Sequence, residues 1–169
     1  MKVLRDLGAG VLGGVIGTVA MDLLWYSRYR RGGGKEALAQ WEFAGDIMSW
    51  EQASAPGQFG RKAWRRVTGG EPPDEWARAT TNVAHWATGI SWGVAYAVLA
   101  SRRTRRPLVR RLGLGPVAWL TSYAVLPISH VYKPIWQYDA RTLADDLSAH
   151  LVYGAAASAV FEALTKGAQ

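Results

Sequence analysis

Residues 7–27 read LGAGVLGGVIGTVAMDLLWYS, and Asp22 is the one charged residue among them. About 20 mostly apolar residues cross a bilayer as a helix, and 18 or more with few charges make a candidate span. Glycines 8, 10, 13, 14 and 17 all fall inside the stretch. Each costs a helix interior about 1 kcal/mol relative to alanine. That density makes sense where helix backbones must approach closely, as they do between membrane helices. Reading outward, residues 79–100 (ATTNVAHWATGISWGVAYAVLA) and 112–132 (LGLGPVAWLTSYAVLPISHVY) contain no Asp, Glu, Lys or Arg. Residues 147–161 (LSAHLVYGAAASAVF) are also uncharged but shorter, and Glu162 follows them.

The pattern predicts an all-α integral membrane protein, a four-helix bundle forming a single transmembrane domain over residues 1–169. Helices are expected at about 5–26, 76–100, 112–130 and 145–165, the last being the weakest candidate for a span. The rival is a soluble helical domain with apolar core helices. Trp25, Trp76, Trp119 and Trp136 lie near the predicted ends, where aromatic residues collect at the membrane–water interface. The N-terminus, with Lys2 and Arg5 before an apolar run, superficially resembles a signal peptide. Its length, with Asp22 and then Arg28, Arg30 and Arg31, reads instead as an uncleaved first helix.

The mean hydropathy of −0.06 reflects a long polar loop at about 27–75. Two amphipathic segments are expected there. KEALAQWEFAGDIMSW places Leu38, Trp41, Gly45 and Met48 at helical spacing. QFGRKAWRRV places Phe59, Ala63 and Val67 on one side, with Arg61, Lys62, Arg65 and Arg66 around them. Both suit a membrane surface, or helices packed over the end of the bundle. Asp74, after Gly69-Gly70 and Pro72-Pro73, is placed to cap the second long helix.

The formal net charge is +7. Its densest run is SRRTRRPLVRR, holding Arg102, Arg103, Arg105, Arg106, Arg110 and Arg111 without an acid. A short basic loop stays in the cytoplasm, which puts both termini inside and makes these arginines ligands for anionic lipid headgroups. The first loop holds eight Lys and Arg residues of its own, which weighs against that orientation. A nucleic-acid partner is not expected, because no folded soluble face presents the cluster. The chain has no cysteine, which excludes disulfides, thiolate catalysis, zinc ribbons and c-type haem attachment.

Polar residues recur on these helices at spacings of four. His85, Gly89, Gly93 and Ala97 share one face, as do His150, Gly154, Ser158 and Glu162, and Gly10, Gly14, Thr18 and Asp22. TNVAHWATG (81–89) and DDLSAHLVYG (145–154) share the pattern Ala-His-x-x-x-Gly, which suggests two repeated helix hairpins. Asp22, Asn82, His85, His130, Asp146 and His150 then fall toward one end of the bundle. Ionisable groups in membrane helices point to a functional site. Asp146 stands four residues before His150 and can orient its ring, and Asn82 stands three before His85. The plainer alternatives are that Asp145 or Asp146 caps the last helix and that each histidine makes a single interhelical hydrogen bond.

Several functions fit these groups. One is binding or conducting a proton, a metal ion or a small polar solute, with Glu162 near the far mouth. His85 and His150 would be the metal ligands, or would hold a haem between them. No cofactor is identified. There is no nucleophile elbow, phosphate loop or metalloprotease motif, so an enzyme is not expected. The other class is an accessory or structural subunit, a homo-oligomer or part of a larger membrane complex. The stretch YKPIWQYDARTLADD would be its surface element.

The glycine-rich first helix ending in Asp22, with His85-Trp86 and the run His150 to Gly154, resembles small bacterial inner-membrane proteins, loosely the YagU-like family. The resemblance covers most of the four-helix scaffold but not the loop with Trp41, Trp50 and Trp64. It implies a four-helix inner-membrane protein and supplies no catalytic residue.

Overall fold

The computed structural model describes residues 2–100 and 113–166, and every regular element among them is helical. In chain order these are α1 (Lys2–Arg31), α2 (Leu38–Glu42), α3 (Ala55–Thr68), α4 (Trp76–Ala100), α5 (Leu114–Ile128) and α6 (Ala140–Thr165), with one 3-10 turn at Ile135–Gln137. Two of them, α1 and α6, are long and apolar enough to cross a membrane. The last helix, expected to be the weakest span, qualifies, whereas α5 is a shorter apolar helix. α4 has the length, but its histidine, threonines and tryptophans dilute it.

The chain forms two compact units. The first comprises residues 1–25, 88–121 and 139–169, and the second residues 26–87 and 122–138.

The first unit is built on missing side chains. α1 presents two glycine edges. A methyl group on Gly10 would meet the Ala97 Cβ at 2.7 Å and the Gly93 carbonyl oxygen at 2.8 Å. One on Gly14 would meet the Ile90 Cα at 2.7 Å. On the other edge, Gly13 faces the Ala157 carbonyl oxygen at 2.7 Å, and Gly17 faces the Tyr153 ring at 2.8 Å. α4 and α6 therefore both lie directly against the α1 backbone, each antiparallel to it. The predicted row Gly10, Gly14, Thr18 meets the predicted row Gly89, Gly93, Ala97. The predicted α6 row does not serve α1. Tyr153 and Ala157 do so, while Gly154 lies against Gly115 of α5, its added methyl 2.9 Å from the Gly115 Cα. Ala9, Tyr96, Ala97, Leu114, Tyr153, Ala157 and Phe161 form the core. The Tyr153 hydroxyl donates to the Gly89 carbonyl at 2.6 Å. Thr18, fully buried, donates to Gly14 O at 2.9 Å, which satisfies its hydroxyl within its own helix.

The second unit is organised around Trp50, which is 2 % exposed and packs on Ile47 and Ala77. Its indole N–H donates to Pro72 O at 2.9 Å and Pro73 O at 3.1 Å. Its backbone N–H donates to Asp74 Oδ1 at 3.2 Å, and its carbonyl accepts from the Gln58 side chain. Asp74, expected to cap α4, thus spends its carboxylate on Trp50. Arg61 lies over the Trp50 ring at 5.8 Å.

The first expected amphipathic helix in the loop stops at Glu42. Ala44 turns left-handed (φ 49°), with Ala44 N–H donating to Trp41 O and Gly45 N–H to Gln40 O. This is the Schellman arrangement that closes helices. The second exists as α3, and ends on Gly69 at φ 73°. Lys62 of α3 donates to the carbonyls of Ser129 and His130, at 2.7 and 2.8 Å. It thereby places a cation at the negative end of α5.

Candidate functional site

Of the residues singled out in the sequence, Asp146 and His150 come together as expected. Both are half-buried on α6, with His150 Nδ1 3.4 Å from Asp146 Oδ1 and 3.0 Å from the Asp146 carbonyl oxygen. A carbonyl can only accept, so the hydrogen bond requires the proton on Nδ1. That tautomer leaves the lone pair on Nε2.

Neither Asp145 nor Asp146 caps α6. The cap is Asp139, whose carboxylate accepts from Thr142 N–H at 2.9 Å and from the Thr142 hydroxyl at 2.7 Å. These two hydrogen bonds hold the Asp139 carboxyl below the usual carboxylate range. The helix therefore begins more than a turn earlier than expected, and Asp146 lies within it.

Asp22 is on α1 in the first unit, 5 % exposed. Two further acids of that unit are buried: Asp6 pairs with Arg5 at 2.8 Å, and Glu162, 4 % exposed, lies 3.7 Å from Lys166.

Asn82 and His85 are on the part of α4 that belongs to the second unit. The Asn82 amide donates to Phe43 O at 3.0 Å and Arg78 O at 2.9 Å, so it ties α4 to the segment after α2. His85 lies beside Trp86, ring edge to face. A ring nitrogen of His85 and a carboxylate oxygen of Glu42 lie within 4.8 Å of one another, both residues half-buried. Glu42 was missed in the sequence because it stands 43 positions from His85, on a segment read only for its apolar spacing. His130 is exposed and sits just past α5 with φ 53°. Its backbone serves the helix end through Lys62. His85 belongs to the second unit and His150 to the first. The arginines expected to meet headgroups, Arg102, Arg103, Arg105, Arg106, Arg110 and Arg111, lie outside the described residues.

No family model, no curated protein and no solved structure matches this chain.

Proposed function

We propose that this is a multi-pass membrane protein whose last helix carries a proton- or solute-handling pair, Asp146 and His150. The observation that carries the reading is that pair, a carboxylate and an imidazole 3.4 Å apart and half-buried where the uncharged run 147–161 of α6 begins. Ionisable groups at such a position are costly, which makes a functional site the default reading. With Nδ1 anchored, Nε2 is the atom that exchanges a proton or accepts from a polar solute. A metal ion fits less well, since it usually takes four ligands and the pair supplies two.

The membrane assignment draws support from the length and apolarity of α1 and α6 and from backbone-to-backbone crossings of the kind that hold membrane helices. Leu12, Ile16 and Leu23 on α1 are 45–52 % exposed, as lipid-facing side chains would be. In this reading α4 and α5 complete the bundle, and the basic run after α4 keeps both termini in the cytoplasm.

Proteoliposomes enclosing a pH-sensitive dye test the proposal. Wild-type protein should pass protons under an imposed gradient, and His150→Ala and Asp146→Asn should lose most of that flux while inserting normally. Equal flux from wild type and His150→Ala sinks it. A second reading, a non-enzymatic subunit of a larger membrane complex, rests on Trp136 and Ile128, 80 % and 79 % exposed in the second unit. Co-purification from native membranes of a partner lost in Trp136→Ala would favour that reading.

A further inference from the structure

The helix α3 has one side occupied and one side open. Gly57 and Gly60 lie against Thr81 and Thr80 of α4, so closely that a methyl group on either would strike the threonine side chain. Trp64, on the same edge, packs against Trp76 with ring centres 5.0 Å apart. At 100° per residue, Phe59 and Ala63 lie beside that contact, about 100° and 60° from the Gly60 line, and Val67 continues the stripe two turns beyond Gly60. All three are exposed, Phe59 at 44 % and Val67 at 86 %.

Charge indicates what covers the stripe. The helix carries Arg61, Lys62, Arg65 and Arg66 and no acid. Glu71 answers Arg61 and Arg65 at 3.0 and 3.1 Å, which leaves a strong positive excess, and Arg66 borders the stripe directly. An amphipathic helix of low net hydrophobicity, basic on its polar side and with Trp and Phe present, is built to lie in the headgroup layer of a membrane. Cations near such a surface each contribute attraction to anionic lipid.

We propose that α3 docks on the surface of an anionic bilayer, with Phe59, Ala63 and Val67 entering the acyl boundary and Arg66 meeting lipid phosphates. The inference rests on the membrane reading above. It extends that reading from the long apolar helices to the polar loop between them.

The chain has no cysteine, so a single introduced thiol reports its own position. Full-length Val67→Cys, carrying a nitroxide, is reconstituted into nanodiscs of phosphatidylcholine alone or with added phosphatidylglycerol. Accessibility to oxygen and to a water-soluble nickel chelate is then measured. Ile16→Cys on α1 is the control for the membrane reading. The label at position 67 should become oxygen-accessible and nickel-shielded when phosphatidylglycerol is present. Adding Arg66→Gln should reduce the shielded fraction relative to the exposed one by about fivefold, the effect of one surface cation. A nickel-accessible label at 67 in both lipids, with position 16 in lipid, overturns the docking of α3 and leaves the membrane reading standing. Nickel access at position 16 overturns both. Shielding of position 67 from both probes, indifferent to lipid charge, overturns the proposal in favour of a protein partner. Loss of that shielding on dilution would identify the partner as a second copy of the chain.

Discussion

In the first unit helices touch where side chains are absent, and in the second the chain gathers around a side chain that is unusually large. Gly10, Gly13, Gly14 and Gly93 let α1, α4 and α6 meet backbone to backbone. Trp50 instead joins four segments through its ring, its indole N–H and both of its backbone groups. The two solutions suit different surroundings. Burying a large indole draws on the hydrophobic effect, which needs water as the alternative. Close glycine crossings draw on van der Waals contact, which works equally well where the alternative is lipid. The difference teaches which unit should fail under which insult.

The largest expected effect follows from Trp50. Trp50→Ala removes a buried ring and leaves the Pro72 and Pro73 carbonyls without their donor. It should cost the second unit about 4 kcal/mol. Trp50→Phe keeps most of the apolar contact and should cost about 1.5 kcal/mol for the lost donor. Protease susceptibility between Ala44 and Gly70 is the readout. Equal resistance in wild type and Trp50→Ala would remove Trp50 from the centre of that unit.

Glycine substitutions probe the first unit next. Gly93→Ala places a methyl group 2.7 Å from the Gly14 Cα, where only whole helices can yield. It should destabilise the folded protein in detergent by about 3 kcal/mol. Gly8→Ala is the internal control. Nothing lies within 4 Å of its added methyl, and helix propensity alone should stabilise α1 by about 0.5 to 1 kcal/mol. Thermal melts of the two variants should therefore move in opposite directions. Higher melting temperatures for both would mean that propensity outweighs close approach at Gly93.

These rows also mark how far the sequence could be read. Glycines four apart on α1 and α4 announce a close crossing, because only a missing side chain permits one. The Asp146–His150 pair was legible for a related reason, since residues four apart in a helix are neighbours whatever else the fold does. Contacts between distant segments left no such mark. The partners of Trp50, 22 to 24 residues away, and the approach of Glu42 to His85 depend on where loops return. The start of α6 was misplaced because Asp145 and Asp146 looked like caps, although Asp139 and Thr142 form one earlier. The neighbour of the α6 stripe at Gly154, which is Gly115 of α5, had no mark in the sequence either.

A smaller effect compares two helix ends with the same closing geometry. After α1, Gly33 takes φ 94°, with Gly33 N–H donating to Arg30 O and Gly34 N–H to Tyr29 O. After α2, Ala44 holds the same place at φ 49°, where a Cβ is disfavoured. Ala44→Gly should relieve that conformation and stabilise the second unit by about 0.5 kcal/mol, part of the gain being lost to the freer unfolded chain. Gly33→Ala should destabilise by about 1 kcal/mol. Equal melts for Ala44→Gly and wild type would show that the α2 end contributes no strain worth relieving.

The smallest effect is local and concerns pH at the mouth of α6. Thr142 bonds the charged form of Asp139 and lowers its carboxyl pKa from the ordinary 3.8. A carboxyl held low in the folded state stabilises the fold at pH values above its unfolded pKa, and the contribution fades as pH falls through the lowered value. Acidification below 3.8 should therefore fray the first turn of α6 while the glycine crossings hold. The Thr142 amide resonance reports this directly. It should move in acid in the wild type, and Asp139→Asn, which keeps an acceptor but cannot titrate, should abolish the step. A step that survives in Asp139→Asn would show that the Thr142 amide follows some event other than protonation of the cap, and would overturn the assignment of this acid sensitivity to Asp139.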